Sequence, residues 1–312
     1  MVELNDQPIR KGENDREEDC GIVIREIQAK VLLAHVKQPD PWFGLRYNMN
    51  LYRGCQHRCI YCDSRSECYR IDHFDDEILV KANAIPLLRG ELASKRQRGT
   101  IGLGSMNDPY MPLEAEARLT RQALEVIAEF RFPVHIITKS DQVLRDVDLL
   151  QRIARSYASV SFTVTTADDD LAAKVEPGAP RPSARFAAMR TLAGTGVQTG
   201  VTMMPILPFI EDTEENILGI VDEAGAAGAT YILPWLGMSL RDRQRAYYYA
   251  QLDRHFPDLR AKYQRTYGDR YHCDTPDADN LYRILETACE DKGILTHIPQ
   301  YEPQAAEQLG LF

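Results

Sequence analysis

Three thiols, Cys55, Cys59 and Cys62, stand within eight residues, spaced C-x3-C-x2-C in the run Gly54-Cys-Gln-His-Arg-Cys-Ile-Tyr-Cys-Asp63. Loop thiols this close in sequence can all turn toward one point, and thiolates are the ligands that hold iron–sulfur clusters. A [4Fe–4S] cube has one more iron than this loop has cysteines, which leaves one iron open to a small molecule bearing an amine and a carboxylate. A zinc knot completed by Cys68 or His57 is the alternative. Zinc sites more commonly combine two separated cysteine pairs, and no second pair follows. A disulfide framework belongs to small secreted domains.

The elements that must position this loop alternate in type. Tyr47 to Tyr52 is a short strand leading into it. Apolar runs at Thr100 to Ser105, Val134 to Thr138, Val160 to Thr165, Gln198 to Met204 and Thr230 to Leu233 predict further strands. Amphipathic stretches at Glu77 to Lys95, Glu114 to Phe130, Gln142 to Tyr157, Ser183 to Gly194 and Thr213 to Ala227 predict the helices between them. Such alternation implies parallel strands joined by right-handed crossovers. Ligands of such folds gather at the carboxyl ends of the strands. The segment 1–45 reads as a lead-in, 46–236 as the α/β core and 237–312 as a helical C-terminal extension. Arg10, Lys11, Arg16, Glu17, Glu18 and Asp19 make the lead-in charged, Ile24 to Val36 suits a short strand or helix, and Pro39 and Pro41 mark a turn.

The cysteine spacing, with Tyr61 just before the last thiol, resembles the signature of the radical S-adenosylmethionine (radical SAM) superfamily. The strand-end phrases resemble its spore photoproduct lyase-like branch. The fold this implies is a partial, six-stranded (β/α)6 barrel, which agrees with the strand count. The cofactors it implies are a [4Fe–4S] cluster on Cys55, Cys59 and Cys62, and S-adenosylmethionine on the open iron. Ser105, Asn107 or Asp108 would meet the amino group of the cofactor's methionine, with Ser105 and Asp108 favoured. Lys139 would hold its carboxylate, Thr163 its ribose or carboxylate, and Arg185 would add a second cation. Pro205 and Ile206 would offer an edge for the adenine, and Tyr61 would flank the cluster.

The chemistry implied is reductive cleavage of S-adenosylmethionine to a 5′-deoxyadenosyl radical that takes a hydrogen from a substrate, with electrons from a reduced donor such as flavodoxin or ferredoxin. The lyases return hydrogen from a cysteine on the second strand end, where this chain has Ser105-Met106. That departure leaves Cys68, Tyr110 and Cys273 as candidate donors. Cys20 and Cys289 are dispersed and suggest no second cluster.

Between Leu240 and His272 eight basic residues face four acids, interleaved with Tyr247, Tyr248, Tyr249, Tyr263, Tyr267 and Tyr271. Cations beside aromatic faces suit a flipped-out or single-stranded nucleotide; an amphipathic helix packing its tyrosines on the core accounts for the same pattern. The 312 residues carry a net charge of −9, with 44% hydrophobic and 27% charged residues. Such a balance argues against a duplex-DNA protein coated in positive potential. No apolar run approaches the roughly 18–20 residues that span a bilayer, and seven cysteines, three of them clustered, fit a reducing cytoplasm. The expectation is therefore a cytoplasmic radical SAM enzyme acting on a nucleotide or nucleic acid. A radical SAM enzyme acting on a peptide or small metabolite, and a non-catalytic zinc-stabilised interaction protein, are the alternatives.

Overall fold

The computed structural model describes residues 7–8, 16–17, 21–37 and 40–302. Arg10, Lys11, Glu18, Asp19, Cys20 and Pro39 of the sequence reading lie outside the described residues. In chain order the first strands are β1 (Gln7–Pro8), β2 (Arg16–Glu17), β3 (Val23–Gln28), β4 (Leu33–His35), β5 (Leu45–Met49), β6 (Tyr52–Arg53) and β7 (Glu77–Lys81). Helix α1 (Ala84–Ala93) leads to β8 (Thr100–Leu103), α2 (Glu114–Ala117), α3 (Leu119–Phe130), β9 (Val134–Thr138) and α4 (Val147–Ala154). Next come β10 (Ala158–Thr163), α5 (Asp169–Val175), α6 (Pro182–Leu192), β11 (Gln198–Met203), α7 (Glu214–Ala226) and β12 (Tyr231–Pro234). The chain closes through β13 (Gly237–Ser239), α8 (Asp242–His255), α9 (Leu259–Tyr267), β14 (His272–Asp274) and α10 (Ala278–Lys292).

The main sheet runs β12-β11-β10-β9-β8-β5-β4. Its members from β5 to β12 pair in parallel, and β4 adds an antiparallel edge on β5. Every residue of β8 and of β10 is buried. Parallel strands covered by helices lose the alternation of exposed and buried residues that a half-exposed sheet shows. The α3 residues Leu119, Ala123, Leu124, Val126 and Ile127 line one buried face at helical spacing. Six parallel strands, β5 and β8 to β12, alternate with helices, and α8 to α10 follow them, as the α/β reading of the sequence expects.

Two helices differ from the sequence reading. Glu77 to Lys95 is not one helix: Glu77–Lys81 is β7, paired in parallel with β3 and antiparallel with β6. The segment's strand-compatible Leu79 and Val80 find ladder partners on both sides, which outweighs its modest helical preference. Glu114 to Phe130 breaks at Arg118, which sits at φ +50°. Buried Glu114 accepts from Thr120 N at 3.0 Å and so caps α3 from before its start.

Ile24 to Val36, open between strand and helix in the sequence, contains most of β3 and all of β4. Tyr248, Tyr249, Tyr263 and Tyr267 of α8 and α9 are buried with Cys59, Ile60 and Tyr61 in one apolar cluster. The tyrosine-rich stretch thus packs on the core beneath the cysteine loop. Among the described residues, no helix is long and apolar enough to cross a membrane.

Candidate active site

A cavity of about 230 Å³ opens at the carboxyl ends of the parallel strands. Cys55, Cys59 and Cys62 all line it, with Tyr61, Ser105, Asn107, Asp108, Lys139, Thr163 and Pro205. Residues more than 100 positions apart meet here because each β–α unit returns the chain to the same end of the sheet.

The cysteine loop is held by its backbone. Ile60 N donates to Val175 O at 2.9 Å, and Gly178 N donates to His57 O at 3.0 Å. A Cβ on Gly178 would stand 2.3 Å from Gln56 O, so only glycine permits this approach. On the facing wall, Gly104 at φ +98° turns the chain out of β8; a Cβ there would meet Ile137 O at 2.0 Å.

Asp108 organises the loop after β8. It accepts from Thr138 Oγ1 at 2.7 Å, Lys139 N at 2.6 Å and Tyr110 N at 2.8 Å, and lies 3.4 Å from His57 Nδ1. Both carboxylate oxygens are thus engaged by the protein. Ser105 Oγ accepts from Asn48 Nδ2 at 2.8 Å. Asn107 is buried with its Nδ2 unpartnered, and His57 is buried with its Nε2 unpartnered.

Lys139 Nζ lies 3.8 Å from Glu176 Oε1 and 5.7 Å from the centre of the Tyr61 ring. The Tyr61 hydroxyl and Arg185 Nη2 both donate to the Glu176 carboxylate. Burial works against the charge on Lys139, but neighbouring Cys59 and Glu176 outweigh it and hold the ammonium above the ordinary lysine value. Burial likewise opposes ionised Glu176, yet Arg185 and Lys139 hold its carboxyl below the usual range. Burial pushes the Cys55 thiol up to about 12 and raises Cys59 and Cys62 too. Coordination to a metal deprotonates such thiols outright.

Other sequence candidates lie outside the lining. Arg185 is buried behind it, donating to Thr163 O at 2.8 Å, and Ile206 is buried beside Pro205. Tyr110 is buried and donates to Asp146 at 3.1 Å. Cys68 is exposed, and Cys273 is buried on β14. Sequence reasoning missed Asp63, Ser64, Tyr69, Trp235, Met238 and Ser239, which complete the wall. The Glu176-Pro177 phrase after the fourth parallel strand stands out in the sequence, but no role for Glu176 follows from the sequence alone.

The donor set fits an iron–sulfur cluster better than zinc. Of the two candidates for a zinc knot's fourth ligand, Cys68 is not among the cavity-lining residues, whereas His57 is. Among the described residues, no group of three His, Cys, Asp or Glu side chains is gathered tightly enough for one metal ion. A cube instead takes each thiolate on a different iron, so its ligands stand farther apart than the ligands of a single ion.

The sequence profile described as "Radical SAM superfamily" matches residues 49–223. The chain belongs to the radical SAM superfamily. It is an enzyme of radical chemistry, which overturns the reading as a non-catalytic zinc-stabilised protein. An uncharacterized protein of Mycobacterium tuberculosis is 32% identical over 254 residues, covering 79% of this chain and 74% of that one. The "Radical SAM Nalpha-GlyT isomerase" of Pseudomonas phage M6 is 26% identical over 156 residues, 50% of this chain and 32% of its own. Among solved structures, spore photoproduct lyase complexed with dinucleoside spore photoproduct superposes with a TM-score of 0.67 at 16% identity, covering 87% of this chain and 81% of that one. A spore photoproduct lyase double mutant with bound AdoMet and the dinucleoside gives 0.65 at 17% identity, covering 88% and 82%. The fold of this radical SAM chain is thus that of spore photoproduct lyase.

Proposed function

We propose that this chain cleaves S-adenosylmethionine reductively at a [4Fe–4S] cluster held by Cys55, Cys59 and Cys62, and takes a hydrogen from a nucleotide or nucleic acid. The observation that carries the reading is the single cavity that gathers the three thiols with Lys139, Asn107 and Thr163. When bound, the cluster and its cofactor supply a primary carbon radical. The protein's share is position and exclusion of water.

Lys139 meets the cofactor's carboxylate, with Glu176 restraining its ammonium. The unpartnered Asn107 Nδ2 and His57 Nε2 supply polar contacts that a ligand would complete. Asp108, whose oxygens are engaged, acts by fixing the loop that carries Ser105 and Asn107. Thr163 and Pro205 line the side where ribose and adenine would lie, with Ile206 and Arg185 supporting them from behind. The core 46–236 carries this chemistry, 237–312 completes the wall, and the site works in the cytoplasm with a flavodoxin- or ferredoxin-like donor.

The nucleotide reading is supported by Trp235 and Met106, which line the cavity beside the neutral polar Ser105 and its partner Asn48. An aromatic surface with hydrogen-bonding groups suits an unstacked base. Cys68, Tyr110 and Cys273 remain candidate hydrogen donors. A second reading, a peptide or small metabolite, is favoured by the arginines of α8, several of which bond to the protein's own carbonyls rather than standing free for phosphates.

The test is anaerobic reconstitution with iron and sulfide, reduction with S-adenosylmethionine, and assay for 5′-deoxyadenosine. Product that disappears in Cys59→Ala supports the reading; none from the iron-loaded wild type overturns it. Single-stranded oligonucleotides that bind with affinity falling steeply with salt support the nucleic-acid substrate.

A further inference from the structure

Each residue of the first turn of α8, with its N-cap Arg241, bonds either the cysteine loop or the segment that directly follows it, up to Ile71. Arg241 Nε donates to Asp63 at 3.1 Å, and its Nη2 donates to the same carboxylate. Asp242 accepts from Ser66 Oγ at 2.6 Å. Arg243 donates to Arg65 O at 2.6 Å and to Ile71 O at 2.7 Å. Gln244, fully buried, donates from Nε2 to Tyr61 O at 3.0 Å and to Ser239 O at 2.9 Å, while its Oε1 accepts from Arg241 N at 2.9 Å.

Tyr61 O lies on the peptide that leads directly into Cys62. The turn between Cys59 and Cys62 closes through Cys62 N to Cys59 O at 3.2 Å, and among the described residues Gln244 is the side chain that bonds its outer carbonyl. Three thiolates that share one cluster must stand at fixed separations. A loop turn keeps such separations only if its exposed backbone groups are tied to something rigid. The buried tyrosines of α8 and α9 make that helix pair rigid.

We infer that Gln244 is a positioning residue for the Cys59–Cys62 turn, and that the basic start of α8 serves as a clamp on the cluster-binding loop. The inference rests on the cluster assignment above. It gives Arg241 and Arg243, which the sequence placed on a nucleotide track, a task in organising the metal site. Outer groups that orient metal ligands are typically worth about 10–100-fold in metal retention.

The test compares wild type with Q244M and R245M, all reconstituted anaerobically with iron and sulfide and freed of excess. Q244M keeps the side chain's bulk and removes both donated bonds together with the acceptor for Arg241 N. R245M removes bonds from the same helix to Gly268 O, Leu240 O and Arg270 O, none of them in the cysteine loop. Iron release to a chelator about ten-fold faster in Q244M, with R245M at the wild-type rate, supports the inference. A broadened electron paramagnetic resonance signal of the reduced Q244M cluster supports it as well. Equal release from Q244M and wild type overturns it, and so does equal acceleration in Q244M and R245M, which would mean general loosening. R243M, altered at a half-exposed side chain, answers the question if Q244M does not fold: faster release supports the clamp and wild-type release overturns it. Wild type that takes up no iron and sulfide overturns the cluster assignment itself, a result distinct from all of these.

Discussion

The phenol of Tyr61 donates to the carboxylate of Glu176, tying the residue before the last loop cysteine to the turn that follows α5. The same carboxylate accepts from Arg185 and lies 3.8 Å from Lys139 Nζ. One buried anion therefore joins the cysteine loop, the end of β9 and α6.

Glu176→Ala leaves Arg185, which is 1% exposed, with no acid partner among the described residues. Removing one member of a buried pair strands the other's charge, at about 3–5 kcal/mol. Urea denaturation is expected to show a loss of that size, and Glu176→Gln a smaller one because the amide oxygen still accepts from Tyr61 or Arg185.

Lys139→Met is expected to leave iron and sulfide content unchanged and to weaken S-adenosylmethionine binding roughly 30-fold, the equivalent of about 2 kcal/mol for a buried charge contact. Equilibrium dialysis against the reconstituted protein measures it. Unchanged affinity would remove Lys139 from the cofactor's carboxylate.

His135 is buried, with Nε2 2.7 Å from Ser161 Oγ, and burial pushes its imidazole down to about 4. The unfolded chain, with an ordinary histidine near 6.5, takes up the proton that the fold refuses. Stability from this group is thus lost as pH falls from about 6.5 toward 4 and does not change further below, by roughly 3 kcal/mol in total. Urea midpoints followed across that window should fall less steeply in His135→Gln.

Gly104→Ala would force a side chain into the Ile137 carbonyl at a left-handed φ. A loss of about 2–3 kcal/mol is expected, with weaker S-adenosylmethionine binding because Ser105 to Asp108 must shift. Thermal melts and the same dialysis read both effects.

Cys68 is exposed and outside the cavity lining, so Cys68→Ala is expected to retain wild-type iron and sulfide, whereas Cys59→Ala loses them. Metal analysis of the two variants separates a three-cysteine cluster from any four-cysteine site.

The cysteine loop and the rhythm of the strands were legible from the amino acids alone. Cys55, Cys59 and Cys62 are near neighbours in the chain, so their spacing already restricts where their thiols can go. The strand ends were legible because apolar runs buried on both sides of a parallel sheet stand out from amphipathic helices. Glu77 to Lys81 was misread because a short segment's preference is decided by its partners, here β3 and β6, which no local pattern reveals.

Which polar groups line the cavity, and which of them the protein already engages, emerges from the fold. Asp108 lines the cavity with its oxygens engaged by Thr138 and Lys139 N, whereas Arg185 lies behind the lining, paired with Glu176. The basic residues around the start of α8 suit a nucleotide in sequence, while in the fold Arg241 bonds Asp63 of the cysteine loop and Arg243 bonds Arg65 O just after it. A charge in a sequence has no partner until folding brings one from far along the chain, and that partner decides whether it binds a ligand or holds the protein together.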